Sequence, residues 1–140
     1  MHRCLTLSCI VVVALAALSL SLPLPARAVG LKKVAVLELQ NLAELSQPEV
    51  DYLTDVIRAA ASAELPRDKY LVITKENIDE ILAANDVRLE QCADDCEVEV
   101  GRKIGADFIA SGEVLRFGSG LRGSIKLHAV RSAQLLGMER

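Results

Sequence analysis

The chain has 140 residues, is 51% hydrophobic and 25% charged, and carries a formal net charge of −3. That size fits one domain with a single core, and the negative balance argues against nucleic acid or an anionic membrane surface as a partner. With no Trp and 3% aromatic residues, the chain also lacks the stacking platforms on which sugars and single strands are held.

His2 and Arg3 precede an almost wholly aliphatic run from Ile10 to Leu22, which Pro23 and Pro25 break. Ala26-Arg27-Ala28 has the small-x-small pattern that a signal peptidase reads, placing the cut between Ala28 and Val29. The competing reading is an uncleaved N-terminal membrane anchor; against it, the apolar run is about 13 residues, short of the roughly 20 a spanning helix needs. Cys9 sits before the apolar core rather than after it, unlike a lipidated cysteine, and Cys4 and Cys9 leave with the leader. The expected organisation is a signal peptide over 1–28 and one domain over 29–140, exported to the periplasm or secreted, with no stable membrane insertion after cleavage. Two of the 16 Lys+Arg and none of the 19 Asp+Glu lie in the leader, so the remainder sets 14 cations against 19 anions, a net charge of −5.

Lys32 to Leu39 is a short apolar run bounded by charge and by Gln40-Asn41, a pattern that predicts a buried strand. Ser46-Gln47-Pro48-Glu49 is a helix start: Ser46 caps, Glu49 reaches back, and Pro48 is tolerated in the first turn. Leu45 and Val50 stand at staple positions. Val50, Leu53, Ile57, Ala60, Ala61 and Leu65 recur at helical spacing until Pro66. Tyr70 to Ile73 predicts a second strand, and Thr74 caps a helix that ends near Asn85, with Ile78, Ile81 and Leu82 on one face. Asp94 with Glu97 resembles another capping box, opening a short helix with the stripe Cys96, Val100, Ile104 and a stop at Gly105.

Asp107 to Phe117 reads as a long strand, Gly118-Ser119-Gly120 as a turn, and Leu121 to Val130 as the hairpin partner. Its alternation predicts Leu121, Gly123, Ile125, Leu127 and Ala129 facing in, and Arg122, Ser124, Lys126 and His128 facing out. Ser132 to Leu136 looks like the beginning of one more strand, cut short. The order β-α-β-α-α-β-β-(β) defines an α+β fold, a mixed α/β sandwich with helices packed on a sheet.

Cys92 and Cys96 are the pair that export makes informative, since an oxidising compartment favours a disulfide. A structural bridge would pin the loop to the start of the third helix. In the redox reading Cys96, lowered in pKa by the helix N-terminus, acts as nucleophile and Cys92 resolves it; the spacing C-x3-C departs from C-x-x-C. A metal needs four ligands, and the exported chain adds His128 and little else.

The stretch from Cys92 through Glu97, Gly101, Gly105, Ala106 and Asp107 to Gly112 resembles a pattern of bacterial envelope proteins: the curli secretion component CsgG, the N-terminal domain of TolB, and LpoB-type activators of penicillin-binding proteins. The order from Val34 to about Leu136 resembles theirs. The resemblance implies an interaction module, with no cofactor, that serves an assembly or secretion complex through envelope protein partners. The long alternating insertions of a pore-forming relative are missing here, so no pore is expected.

Each motif residue also has a structural reading. Gly101 permits close helix packing, Gly105 stops the helix, Gly112 leaves room on a central strand, and Asp107 can accept from free amides. None is assigned to catalysis. No phosphate-binding glycine loop and no G-x-S-x-G elbow is present, and Glu76, Asp79 and Glu80 read as a solvated helix face. The expectation is therefore a non-enzymatic module. A homo-oligomer formed through the C-terminal sheet edge is a variant of it. The alternatives are a periplasmic thiol–disulfide enzyme and a small-ligand binder near Asn41 and Glu44.

Overall fold

A computed structural model describes residues 30–89 and 96–140. In chain order the elements are β1 (Lys32–Val36), β2 (Gln40–Leu42), α1 (Gln47–Glu64), β3 (Tyr70–Val72), α2 (Lys75–Ala84), α3 (Cys96–Ile104), β4 (Phe108–Phe117), β5 (Gly120–Ala129) and β6 (Gln134–Glu139). This is the mixed α+β sandwich that the alternation of apolar runs predicts, with β2 as an addition.

β4 is the spine. Its first half pairs in parallel with β1, Val34 to Val36 against Phe108 to Ala110, and its second half with β2, Gln40 to Leu42 against Glu113 to Leu115. β1 and β2 therefore lie end to end along one side of β4. β3 pairs β1 in parallel on the outer side, and β4, β5 and β6 form an antiparallel meander on the other, giving the order β3-β1-β4-β5-β6. The path from β1 to β3 and the path from β3 to β4 cross the sheet in opposite directions. Right-handed crossovers then put α1 on one face and α2 with α3 on the other.

The core follows that division. Ala35 and Ile109, paired across β1 and β4, belong to one cluster with Ile73, Ile78 and Leu82 at α2 and Val100 and Ile104 on α3. Val34 and Val36 point the other way, on the side where α1 buries Val50 and Thr54. Thr54 takes the place an aliphatic residue would have: its Oγ1 accepts the Leu39 N–H at 3.2 Å while its own hydroxyl donates to Val50 O at 2.8 Å. A buried hydroxyl is tolerable because both of its bonds are made.

Local chemistry starts α1 and α2 where expected. The Glu49 carboxylate accepts from both the Ser46 N–H and the Ser46 hydroxyl, which holds it below the usual carboxylate range. Thr74 Oγ1 accepts from the Asn77 N–H, and Ile73 and Ile78, the staple pair, are both buried. Leu65 closes α1 before Pro66, and Asn85 closes α2.

Three expectations are corrected. The α1 stripe is Val50, Thr54 and half-buried Arg58 at i, i+4 spacing, flanked by half-buried Leu53, Ile57 and Ala61, whereas Ala60 is exposed. On β5 the face under α3 is the one carrying His128, Lys126, Ser124 and Arg122, because His128 pairs with Ile109 and Lys126 with Ser111. His128 keeps 15% of its side chain exposed, while Leu121, expected inside, is 47% exposed. Finally, β6 is not cut off at Leu136: it runs through Glu139, with a bulge where the β5 register shifts between Leu127 and His128.

Candidate interaction surface

Gly101, Gly105, Ala106 and Asp107 lie where α3 ends and β4 begins, and Gly112 lies further along β4. A Cβ on Gly101 would stand 2.7 Å from Val130 Cγ2 and 3.3 Å from the Ile109 side chain, so the glycine sets how closely α3 lies on the sheet. Gly105 has φ +73, the left-handed helix stop, and Ala106 is buried behind it. Asp107 accepts the Lys33 N–H at 2.9 Å and faces Lys32 Nζ at 3.4 Å. That backbone bond first, then Lys32, holds its carboxyl below the usual range.

Cys96 is half-buried at the first position of α3 and packs against the main core. Cys92 and Asp94 lie outside the described residues, as does the leader. Glu97 faces His128, with Oε2 3.7 Å from Nδ1, an ion pair when the imidazole is protonated.

The crevice at the carboxyl ends of β1 and β3, where the two crossovers part, is the usual ligand position in such sheets. Here it holds a cavity of about 30 Å³ lined by Val36, Glu38, Asp51, Thr54, Arg58 and Lys75, beside an open depression of about 170 Å³ against Ser62 and Thr74. Both are below the roughly 300 Å³ at which small-molecule sites begin. Two ion pairs engage the two cations of the crevice, while Glu38, Glu76 and Asp79 also border the depressions and Arg58 Nε is buried without a hydrogen-bond partner among the described residues. Lys75 Nζ donates to Asp51 Oδ1 at 2.7 Å, which lowers the Asp51 pKa and raises that of Lys75. Arg58 joins Asp55 and donates to Val36 O. Sequence reasoning missed Arg58, although the i, i+4 series Val50, Thr54, Arg58 marks it as an inward position.

Asn41 and Glu44 do not line that crevice. The Asn41 side chain accepts from the Leu45 N–H at 3.0 Å and donates to Leu45 O at 2.7 Å, tying its own loop, and Glu44 sits exposed at φ 56. Arg116, on the far half of β4, donates to Ala43 O and so secures the same loop to the sheet. Among the described residues no cluster of three metal-ligating side chains occurs, and no helix is long and apolar enough to cross a membrane.

What remains open is the far side of the sheet. The exposure of β5 rises towards its tip, and every residue of β6 is exposed, including Leu135, Leu136 and Met138. Phe117 and Leu121 are exposed at the β4–β5 tip, and Leu31, Leu42, Tyr52, Val56 and Leu71 are exposed elsewhere.

The arrangement of α1 on one face of a mixed sheet, two helices on the other and a protruding antiparallel meander recurs in solved bacterial structures. The C-terminal domain of LpoB from Salmonella enterica superimposes with a TM-score of 0.60 at 12% identity, covering 77% of this chain and 78% of that one. The same domain from Escherichia coli and lipoprotein GNA1162 from Neisseria meningitidis each give a TM-score of 0.59 at 12% identity over the same shares of the chains. No protein-family model and no curated protein sequence matches. At this identity the likeness is one of fold. It supports the LpoB-type part of the sequence resemblance and does not single out CsgG or TolB.

Proposed function

We propose that this chain is an exported, non-enzymatic protein-interaction module of the bacterial cell envelope, periplasmic or secreted and accessory to an assembly or secretion complex. The observation that carries the reading is the distribution of the molecule's surface. Lys75 and Arg58 in the crevice and Asp107 in the glycine motif are engaged in holding the fold, while the β6 edge of the sheet is left open to a partner. The shared fold with LpoB and with a neisserial lipoprotein supports an envelope setting. In this reading Cys92 and Cys96 form a structural disulfide.

The test is a pulldown from a periplasmic fraction with residues 29–140 beside the Cys92→Ser/Cys96→Ser double variant. The module predicts that both capture the same defined partner. Trapping of many proteins as mixed disulfides by wild type, increased in a Cys92→Ser single variant, would replace it with a thiol–disulfide enzyme.

A further inference from the structure

The β5–β6 hairpin carries a charge opposite to the rest of the molecule. Residues 120–140 contain Arg122, Lys126, Arg131 and Arg140 against Glu139 alone, a net +3 in a chain whose total is −3. Among the described residues Arg122, Lys126 and Arg140 make no ion pair; Asp51, Asp55, Glu99 and Asp107 are paired away from the hairpin, Glu97 faces His128 on it, and Glu113 accepts from the Ser124 hydroxyl. Arg131 has a neighbour of opposite sign in Asp107.

The same hairpin ends the sheet. β6 pairs with β5 and, among the described residues, with nothing on its outer side. An edge strand is ordinarily protected by shortness, by Pro or by charges along its length. β3, the opposite edge, is protected in that way: it spans three residues and follows Lys69 directly. β6 has six residues, Gln134 to Glu139, with no charge before the last, and its Leu135, Leu136 and Met138 are 46%, 49% and 41% exposed.

We infer that the outer edge of β6 receives an extended acidic segment of a partner protein as an added strand, its backbone pairing with β6 and its carboxylates meeting Arg122, Lys126 and Arg140. The inference rests on the interaction-module reading and names the surface and the chemistry of the partner. Charge selects this occupant. A nucleic acid or an anionic bilayer is larger than the hairpin and would meet the net negative remainder of the chain. A second copy pairing β6 with β6 would set two +3 hairpins against each other. A short acidic strand touches the basic hairpin alone, and strand addition uses the unpaired backbone that the edge presents.

The probe is a fluorescent seven-residue peptide of alternating Glu and Val, titrated into the exported chain at low ionic strength by anisotropy. The expected result is saturable binding, with new hydrogen-exchange protection at residues 134–139. Affinity should be about tenfold weaker for the Arg122→Glu/Arg140→Glu variant and should also fall with added salt. A peptide of equal charge with Pro at alternate positions, which cannot donate to the ladder, should bind at least about tenfold more weakly. Circular dichroism of the charge variant matching wild type confirms that its fold is intact, since both arginines are exposed.

Equal binding of the Pro-containing peptide, or protection appearing elsewhere, overturns the inference. So does a peptide-independent dimer in sedimentation whose interface protects 134–139, or cosedimentation with phosphatidylglycerol vesicles that the charge variant abolishes. If the charge variant captures the periplasmic partner as well as wild type does, the edge assignment falls while the module reading stands. Failure to capture any partner strikes the module reading itself.

Discussion

Asp107 serves this fold as an anion. Its carboxylate accepts the Lys33 N–H and faces Lys32, and both favour the charged form, so its pKa lies below the ordinary carboxylate value. A depressed acid contributes stability in full above its unfolded pKa, about 3.9, and loses that contribution as the pH falls through the lower folded value. With 35% of the side chain exposed, the interaction is partly screened. Asp107→Asn should therefore cost about 1 kcal/mol at neutral pH, and the difference from wild type should shrink as acid titrates the wild-type carboxylate; urea midpoints at pH 7 and pH 3 check both statements. Two glycines separate close approach from backbone conformation. A Cβ at Gly112 would stand 2.4 Å from the Ser124 carbonyl and 2.8 Å from Leu39, on a strand paired on both sides. Gly112→Ala is expected to lose at least about 2 kcal/mol, through forced movement of the β4–β5 ladder. Gly105 has open space around it but a φ of +73, so Gly105→Ala should cost about 1 kcal/mol from the left-handed conformation alone. The reverse order in a urea titration would mean that the β4–β5 ladder yields more readily than its pairing implies.

At the scale of elements, the starts of α1 and α2 were legible because each is set by a few adjacent residues. Ser46 with Glu49 and Thr74 with Ile73 and Ile78 act within one turn, and the structure uses them as read. β2 was not legible: Gln40, Asn41 and Leu42 are all exposed and show no alternation, and they form a strand because β4 continues past the end of β1. The facing of β5 was not legible either. Alternation tells which residues share a face, but not which face lies under α3, and the apolar set at Leu121, Ile125 and Leu127 lies opposite that helix. Thr54 shows what such tertiary demands are worth. Thr54→Val keeps the shape of the side chain and leaves the buried Leu39 N–H without its acceptor, a loss of about 1–3 kcal/mol that calorimetry should register as a lowered Tm. The proposed Cys92–Cys96 bridge belongs to this scale too. In the chain-entropy model a ring of that size adds only about 2 kcal/mol, so reduction should lower the Tm modestly and leave the sheet folded. Thiol labelling of residues 29–140 with and without prior reduction tests the bridge directly, and full labelling without reduction would remove it.

Across the whole molecule, burial is graded from one side of the sheet to the other. β1 and the start of β4 lie between helices on both faces, with Ala35 and Ile109 fully buried, whereas β5 rises out of cover towards its tip and β6 is exposed along its length. Opening energies follow burial and pairing, so a sheet covered at one end should unfold in parts before it unfolds as a whole. Native-state hydrogen exchange is expected to place the amides of 34–36 and 109–110 in the slowest class, opening with the full urea dependence of global unfolding. The amides of 134–139 should exchange through a local opening of the hairpin that exposes little surface and so depends weakly on urea. The gradient follows from the topology: residues joined by parallel crossovers are held by helices as well as by neighbouring strands, while a terminal meander is held by one ladder. A strand added along β6 would give that ladder a second side. Its signature would be protection rising selectively at 134–139 and at the β5 residues they pair with, 125–129, while the slow class at 34–36 stays where it is. Slow exchange at 134–139 in the isolated chain, equal to that at Ile109, would show that the hairpin is already covered and would contradict the graded surface on which the function is argued.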